Sequence, residues 1–155
     1  MVRVLMVCLG NICRSPLAEG IMRAKLEEKG IDSLVDSAGT SQYHIGEKPD
    51  SRSIATANRN NIDITFQRAR TFTPVDFEAF DLIFAMDQDN YADILALSKS
   101  EEERNKVHVF LDYAGKGNKP IPDPYYGGAN GFDKVYDMLD EASENIVERI
   151  LKEYF

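Results

Sequence analysis

Cysteine and histidine are scarce in this chain. Its 155 residues hold two of each: Cys8, Cys13, His44 and His108. Two cysteines make no disulfide framework at this size, so a reducing, cytoplasmic setting is expected. They also make a poor zinc set. Cys8 and Cys13 have four residues between them and no second pair, and His108 falls inside an apolar strand pattern, whereas structural zinc takes four matched ligands. No metal and no cofactor are expected. Positive charge is also in deficit. Lys and Arg total 18 against 26 Asp and Glu, a net charge of −8. That argues against a general nucleic-acid or anionic-membrane surface and leaves room for one local basic pocket. No apolar run is long enough to span a membrane. There is no internal repeat, low-complexity stretch or interdomain linker. The opening MVRVLMVCLG is too short for a signal peptide and reads as a first strand.

What is present fits one globular domain over residues 1–155, with 43% hydrophobic and 28% charged residues. Val2 to Val7 is an apolar, β-branched run and predicts a strand. Ser15 and Pro16 suit an N-cap and first helical position. Leu17, Ile21, Met22 and Leu26 then mark one face of a helix ending at Gly30. A weaker strand follows at Leu34 to Ser37. Asp50 suits the cap of a helix running to about Asn60, and Thr73-Pro74 opens a short helical turn with Phe77 and Phe80. Leu82 to Met86 predicts the third strand, Asp89 to Leu97 a helix, and Val107 to Leu111 the fourth strand. SKSEEERNK, near residue 100, reads as a solvated surface turn. A final helix runs from about Phe132 to Phe155. Alternating elements with continuous apolar strands imply an α/β fold: a four-stranded parallel sheet with helices on both faces. Ligands bind at the carboxyl ends of such strands, where residues 8 to 15 fall.

Both cysteines lie in VCLGNICRSP, residues 7–16. Alone, they could be small buried residues at a strand end. Their surroundings point further. Cys8 to Arg14 is spaced C-x5-R, with Ser15 next. Gly10 and Asn11 tolerate positive φ in a tight turn, and such a turn gathers backbone N–H groups into a nest. The start of the helix adds partial positive charge, and Arg14 adds a planar fork suited to two phosphate oxygens. A thiol in that field is favoured as a thiolate, and a phosphate would sit above it. Transfer to Cys8 would need a proton for the leaving oxygen. PIPDPYYGG, residues 120–128, lies just beyond the fourth strand and holds Asp123 extended between Pro122 and Pro124. Tyr125 and Tyr126 suit the walls of a slot for a flat aryl group, or a cover for the sheet edge.

With DSAGT at 36–40, RAR at 68–70 and FEAFDLIFAMDQDN at 77–90, these stretches make the chain resemble the low-molecular-weight protein tyrosine phosphatases over essentially its whole length. The resemblance implies that Cys8 is the nucleophile, Arg14 the phosphate clamp and Asp123 the general acid. It implies a phosphate loop of Leu9, Gly10, Asn11, Ile12, Cys13, Arg14 and Ser15. Asn11, Ser15 and Ser37 would brace that loop, with Ser15 also steadying the leaving thiolate. Cys13 would form a reversible disulfide with Cys8, and Tyr43, Tyr125 and Tyr126 would face the substrate. Partners would be phosphotyrosine-containing proteins, and the protein a monomer or weak dimer. There are departures. Gln67 stands where many members have histidine ahead of x-A-R, and Tyr43 where many have tryptophan, which this chain lacks. Arsenate reductases of related fold use further cysteines downstream, and none follows Cys13. A cysteine phosphorelay protein or a phosphate-sensing module would leave Arg14 and Asp123 unexplained.

Overall fold

The computed structural model describes residues 1–125 and 130–155; Tyr126 lies outside the described residues. The chain runs β1 (Val2–Cys8), α1 (Arg14–Glu28), β2 (Ser33–Gly39), α2 (Ser51–Arg59), α3 (Asp76–Ala79), β3 (Leu82–Ala85), α4 (Gln88–Leu97), α5 (Glu101–Asn105), β4 (Val107–Val109), α6 (Phe110–Tyr113) and α7 (Gly131–Tyr154). The strands form one parallel sheet in the order β2-β1-β3-β4. The chain leaves β1 for one neighbour and returns on its other side. The crevice at the carboxyl end of β1 is therefore the topological switch point where such sheets take ligands.

The alternation of β1 divides the interior. Val2, Val4, Met6 and Cys8 face one core, with Leu17, Ile21 and Leu26 of α1 and Leu139, Ile146 and Ile150 of α7. Leu5 and Val7 face a second core with Phe72, Phe77, Phe80 and Ile94. Burial on both faces is why β1 carries an unbroken apolar run from Val4 to Cys8. The same period-two parity turns Cys8 toward α1.

Several local features differ from the sequence reading. Helix α1 begins at Arg14, with Cys13 at its N-cap position and no side-chain cap. Ser15 is already inside the helix, and its hydroxyl is used elsewhere. Gly30 follows the helix at φ 68°, a left-handed position where glycine is favoured. Asp50 caps α2 as expected, accepting from the Arg52 N–H at 2.8 Å. The acidic stretch near residue 100 contains the helix α5, not a turn alone. Ser100 caps it through the Glu103 N–H, and Glu101, Glu102 and Glu103 fill its first turn, where negative charge meets the positive end of the helix dipole. The fourth strand stops at Val109, and Phe110 and Leu111 turn into α6. An edge strand with three paired residues leaves the following apolar residues free to pack helically.

Candidate active site

The segment from Cys8 to Arg14 is held from outside by its carbonyls. Thr40 and Ser41 donate their N–H groups to Cys8 O and Leu9 O, each at 2.9 Å. Asp50 N–H reaches Ile12 O at 2.8 Å, and Ser53 Oγ reaches Cys13 O at 3.3 Å. In a trans peptide, C=O and the next N–H point in opposite directions. The N–H groups of Leu9, Gly10, Cys13 and Arg14 are thereby turned away from these struts, toward the inside of the loop. Of the two residues suited to positive φ, Asn11 takes it, at 56°, and Gly10 does not. Gly39 matters by its missing side chain: a Cβ there would lie 2.7 Å from Leu9 O and 3.1 Å from Asn11 N. The family resemblance singled out Ser37 of DSAGT as a brace; the part played by Gly39 at the end of β2 was missed.

A buried hydrogen-bond chain fixes Cys8. Asn11 Oδ1 accepts the Arg70 N–H at 3.0 Å, which orients the amide. Asn11 Nδ2 then donates to Ser15 Oγ at 2.8 Å and to Ser37 Oγ at 3.0 Å. Ser37 in turn donates its one proton to Glu19 Oε1 at 2.8 Å. Ser15, accepting from Asn11, has its one proton for Cys8 Sγ, 3.0 Å away, or for Ala38 O, 3.5 Å away at the limit of hydrogen-bond range. Opposite a thiolate, which can only accept, the shorter contact takes the proton and an O–H faces the sulfur.

Arg14 is buried. Its Nη1 donates to Asp87 Oδ2 at 2.6 Å and to Ile121 O at 2.9 Å, and Nη2 lies 3.9 Å from Asp123 Oδ2. Burial works against the guanidinium charge, but Cys8, Asp87 and Asp123 outweigh it and raise the pKa. Asp87 is a second residue missed in the sequence. It caps α4 through the Asn90 N–H and uses its other oxygen on Arg14. Asp123 Oδ1 accepts the Tyr125 N–H at 3.0 Å, so the acid loop folds back on itself. The two cysteines are inequivalent. The Cys13 thiol is pushed up to about 12, first by burial and then by Asp50, Cys8 and Asp123, with Arg52 opposing. It stays protonated at neutral pH.

These groups meet in one open cavity of about 340 Å³ lined by Cys8, Arg14, Tyr43, His44, Asp123 and Tyr125, among others. Leu9, Gly10, Ile12 and Cys13 also line it, whereas Asn11, Ser15 and Ser37 lie behind as buried supports. Tyr43 is 87% exposed, a post at the mouth and not a packed wall. His44 was not anticipated. Its Nδ1 is 2.8 Å from Glu47 Oε2, and a Cβ on Gly10 would lie 3.1 Å from its Cδ2. The glycine thus lets the imidazole approach the loop. A floor of inward N–H groups, one sulfur, one guanidinium and one carboxyl at the rim can bind a tetrahedral anion and exchange a proton with it.

Comparison with known proteins agrees with this geometry. Residues 3–154 match the family described as low molecular weight phosphotyrosine protein phosphatase. A protein of that name from Schizosaccharomyces pombe is 42% identical over 153 residues, covering 96% of this chain and 97% of the relative. The crystal structure of a protein tyrosine phosphatase from Entamoeba histolytica, with Hepes in its active site, superposes with a TM-score of 0.93 at 36% identity, covering all of both chains. Vibrio vulnificus Wzb, solved with benzylphosphonate, superposes with a TM-score of 0.84 at 28% identity, covering 96% of this chain and 98% of that one. On fold, loop and whole-length similarity together, the chain belongs to the low molecular weight phosphotyrosine protein phosphatase family.

Proposed function

We propose that the protein hydrolyses phosphotyrosine in protein substrates, and aryl phosphates, through a phosphocysteine on Cys8. The observation that carries the reading is the directed chain ending in Ser15 O–H on Cys8 Sγ, beside a buried Arg14 in the cavity that Asp123 also lines. The aryl ring enters between Tyr43 and Tyr125. Tyr126, assigned to the same wall, lies outside the described residues. The inward N–H groups and Arg14 hold the phosphate oxygens. The Cys8 thiolate attacks phosphorus in line as the bond to the aryl oxygen breaks, and Asp123 gives that oxygen a proton. Asp123, now a carboxylate, takes a proton from water as the water attacks phosphorus. The S–P bond breaks, inorganic phosphate forms, and Ser15 receives the returning thiolate charge. Donors and positive charge fixed in advance around the transferring group stabilise its transition state more than any other single effect in such a site. The test is phosphate release from a phosphotyrosine peptide under reducing conditions with a chelator present. Release is expected, and its absence would overturn the reading.

The cysteine pair adds a protective branch to the proposal. Both cysteines are free thiols, which suits a reducing cytoplasm. Peroxide oxidises the Cys8 thiolate to a sulfenic acid and is itself reduced to hydroxide. Attack by Cys13 sulfur then forms the S–S bond and expels the sulfenic oxygen as water, and a thiol reductant restores both residues. Closure needs the Cys13 thiolate. Oxidation removes the charge of Cys8 from Cys13's surroundings, but burial, the first cause of its high pKa, remains. Below that pKa, each unit rise in pH raises the thiolate fraction, and with it the closing rate, about tenfold. After a peroxide pulse, dithiothreitol is expected to restore most wild-type activity, and more of it at higher pulse pH. Cys13→Ser is expected to recover little. Equal recovery in the two proteins would show that the pair protects nothing.

A further inference from the structure

Glu19 has no place in the chemistry above, yet it is a buried carboxyl at the far end of the hydrogen-bond chain from Cys8. Its Oε1 takes the Ser37 proton, and its Oε2 lies 2.7 Å from Nη2 of Arg23, one turn further along α1. The side chain of Glu19 is 3% exposed and that of Arg23 31%. Arg23 is tied down on two further sides. It donates to Val35 O at 2.6 Å, and its guanidinium lies 5.1 Å from the Phe66 ring centroid. The charged groups facing Glu19 among the described residues are Arg23 from α1 and Asp36 from β2. Asp36 is itself 3.1 Å from Arg70. Burial, first, and Asp36 push Glu19 toward its neutral form; Arg23 and Ser37 oppose them.

The charge on Glu19 decides the sense of the chain. A carboxylate has only acceptors, so the single Ser37 proton must point to it. Ser37 Oγ is then free to accept from Asn11. A protonated Glu19 could donate to Ser37 instead, taking away the acceptor of the Ser37 proton and setting that proton against the Asn11 N–H. Arg70 N–H still holds Asn11 Oδ1, but the bond from Asn11 to Ser37 weakens and Asn11 holds Ser15 less firmly. We infer that Arg23 is a positioning residue for the phosphate loop: by holding Glu19 as a carboxylate it fixes the direction of the Ser37–Asn11–Ser15 bonds and so the O–H presented to Cys8. The inference rests on the reading of Cys8 as the nucleophile, but it concerns a residue outside the cavity.

The test follows alkylation of Cys8 by iodoacetate against pH, with the modified residue located by peptide mapping, in the full chain and in Arg23→Met, Arg23→Lys and Glu19→Gln. Loss of the cation raises the pKa of Glu19 further. The ordered chain then persists above that pKa and is lost as pH falls through it. In Arg23→Met, alkylation is expected to fall progressively below wild type as pH falls, by up to about tenfold for a one-unit shift, and to rejoin wild type at the alkaline end, where Glu19 is ionised in both proteins. Arg23→Lys is expected to follow wild type, and Glu19→Gln to be slow throughout. An Arg23→Met profile that superposes on wild type, or lies below it by one factor at every pH, would overturn the inference. Should Arg23→Met not fold, Arg23→Gln carries the same test with a donor to Val35 O retained. Alkylation needs no turnover. A shifted profile in a protein that releases no phosphate would count against the phosphatase reading alone.

Discussion

Cys8→Ser is expected to lower phosphate release from an aryl phosphate by at least about 10⁴-fold while leaving inorganic phosphate binding in place. The two halves of this result separate nucleophile from cradle. A serine hydroxyl in the same field stays protonated where a thiol ionises, so the attacking anion is lost. The struts from Thr40, Ser41, Asp50 and Ser53 hold carbonyls of the loop backbone, and Arg14 is held by Asp87 and Ile121. None of these bonds uses the sulfur. The substituted hydroxyl can still pair with Ser15 Oγ, so the interior gains no orphaned polar atom. Binding is read by calorimetry with phosphate and turnover by release of p-nitrophenolate. Activity within tenfold of wild type would remove Cys8 from the nucleophile's role.

Asp123→Asn is expected to produce a loss graded by leaving group. For a phenolate as basic as that of tyrosine, kcat/KM should fall by about 10²–10⁴-fold, and for p-nitrophenolate much less. Asparagine keeps an oxygen to accept the Tyr125 N–H that now bonds Asp123 Oδ1. The loop keeps its shape and only the transferable proton disappears. The plot of log kcat/KM against leaving-group pKa should therefore steepen. Because kcat/KM reports the first phosphoryl transfer, slowed water activation in the second step does not enter it. A uniform loss across leaving groups would assign Asp123 a loop-shaping role in place of a proton-transfer one.

Much of this site could be read from residues alone because two of its parts are contiguous. C-x5-R-S packs the proposed nucleophile, loop and clamp into eight positions, and D-P-Y-Y sets the proposed acid beside aromatics. The sheet was legible for a similar reason: strands buried on both faces carry continuous apolar runs, as Val4 to Cys8 and Leu82 to Ala85 do. What escaped the sequence is what folding brings together from a distance. Asp87 reaches Arg14 across 73 positions. Glu19 looks like an ordinary helix-surface residue until β2 covers it. Gly39 matters only through the approach of Leu9 and Asn11. Ser15 has the composition of a cap and the position of a hydrogen-bond donor, because the loop enters α1 already helical at Arg14. Edge structure was the weakest signal. Val107 to Leu111 is apolar at every position but His108, and nothing in that pattern marks where three paired residues end and α6 begins.

The central claim is a covalent phosphocysteine, and trapping it tests the account most directly. A phosphotyrosine peptide would be mixed with the enzyme, chelator present, and subjected to a rapid denaturing quench over a series of times. Peptide mapping would then locate any protein-bound phosphate. The account predicts one phosphate on the peptide that contains Cys8 and none in Cys8→Ser; with p-nitrophenyl phosphate, whose leaving group needs the acid least, Asp123→Asn is expected to hold more of it than wild type, because hydrolysis of the intermediate is slowed. Phosphate release by the wild type with no phosphorylated Cys8 at any quench time, in either active protein, would contradict it.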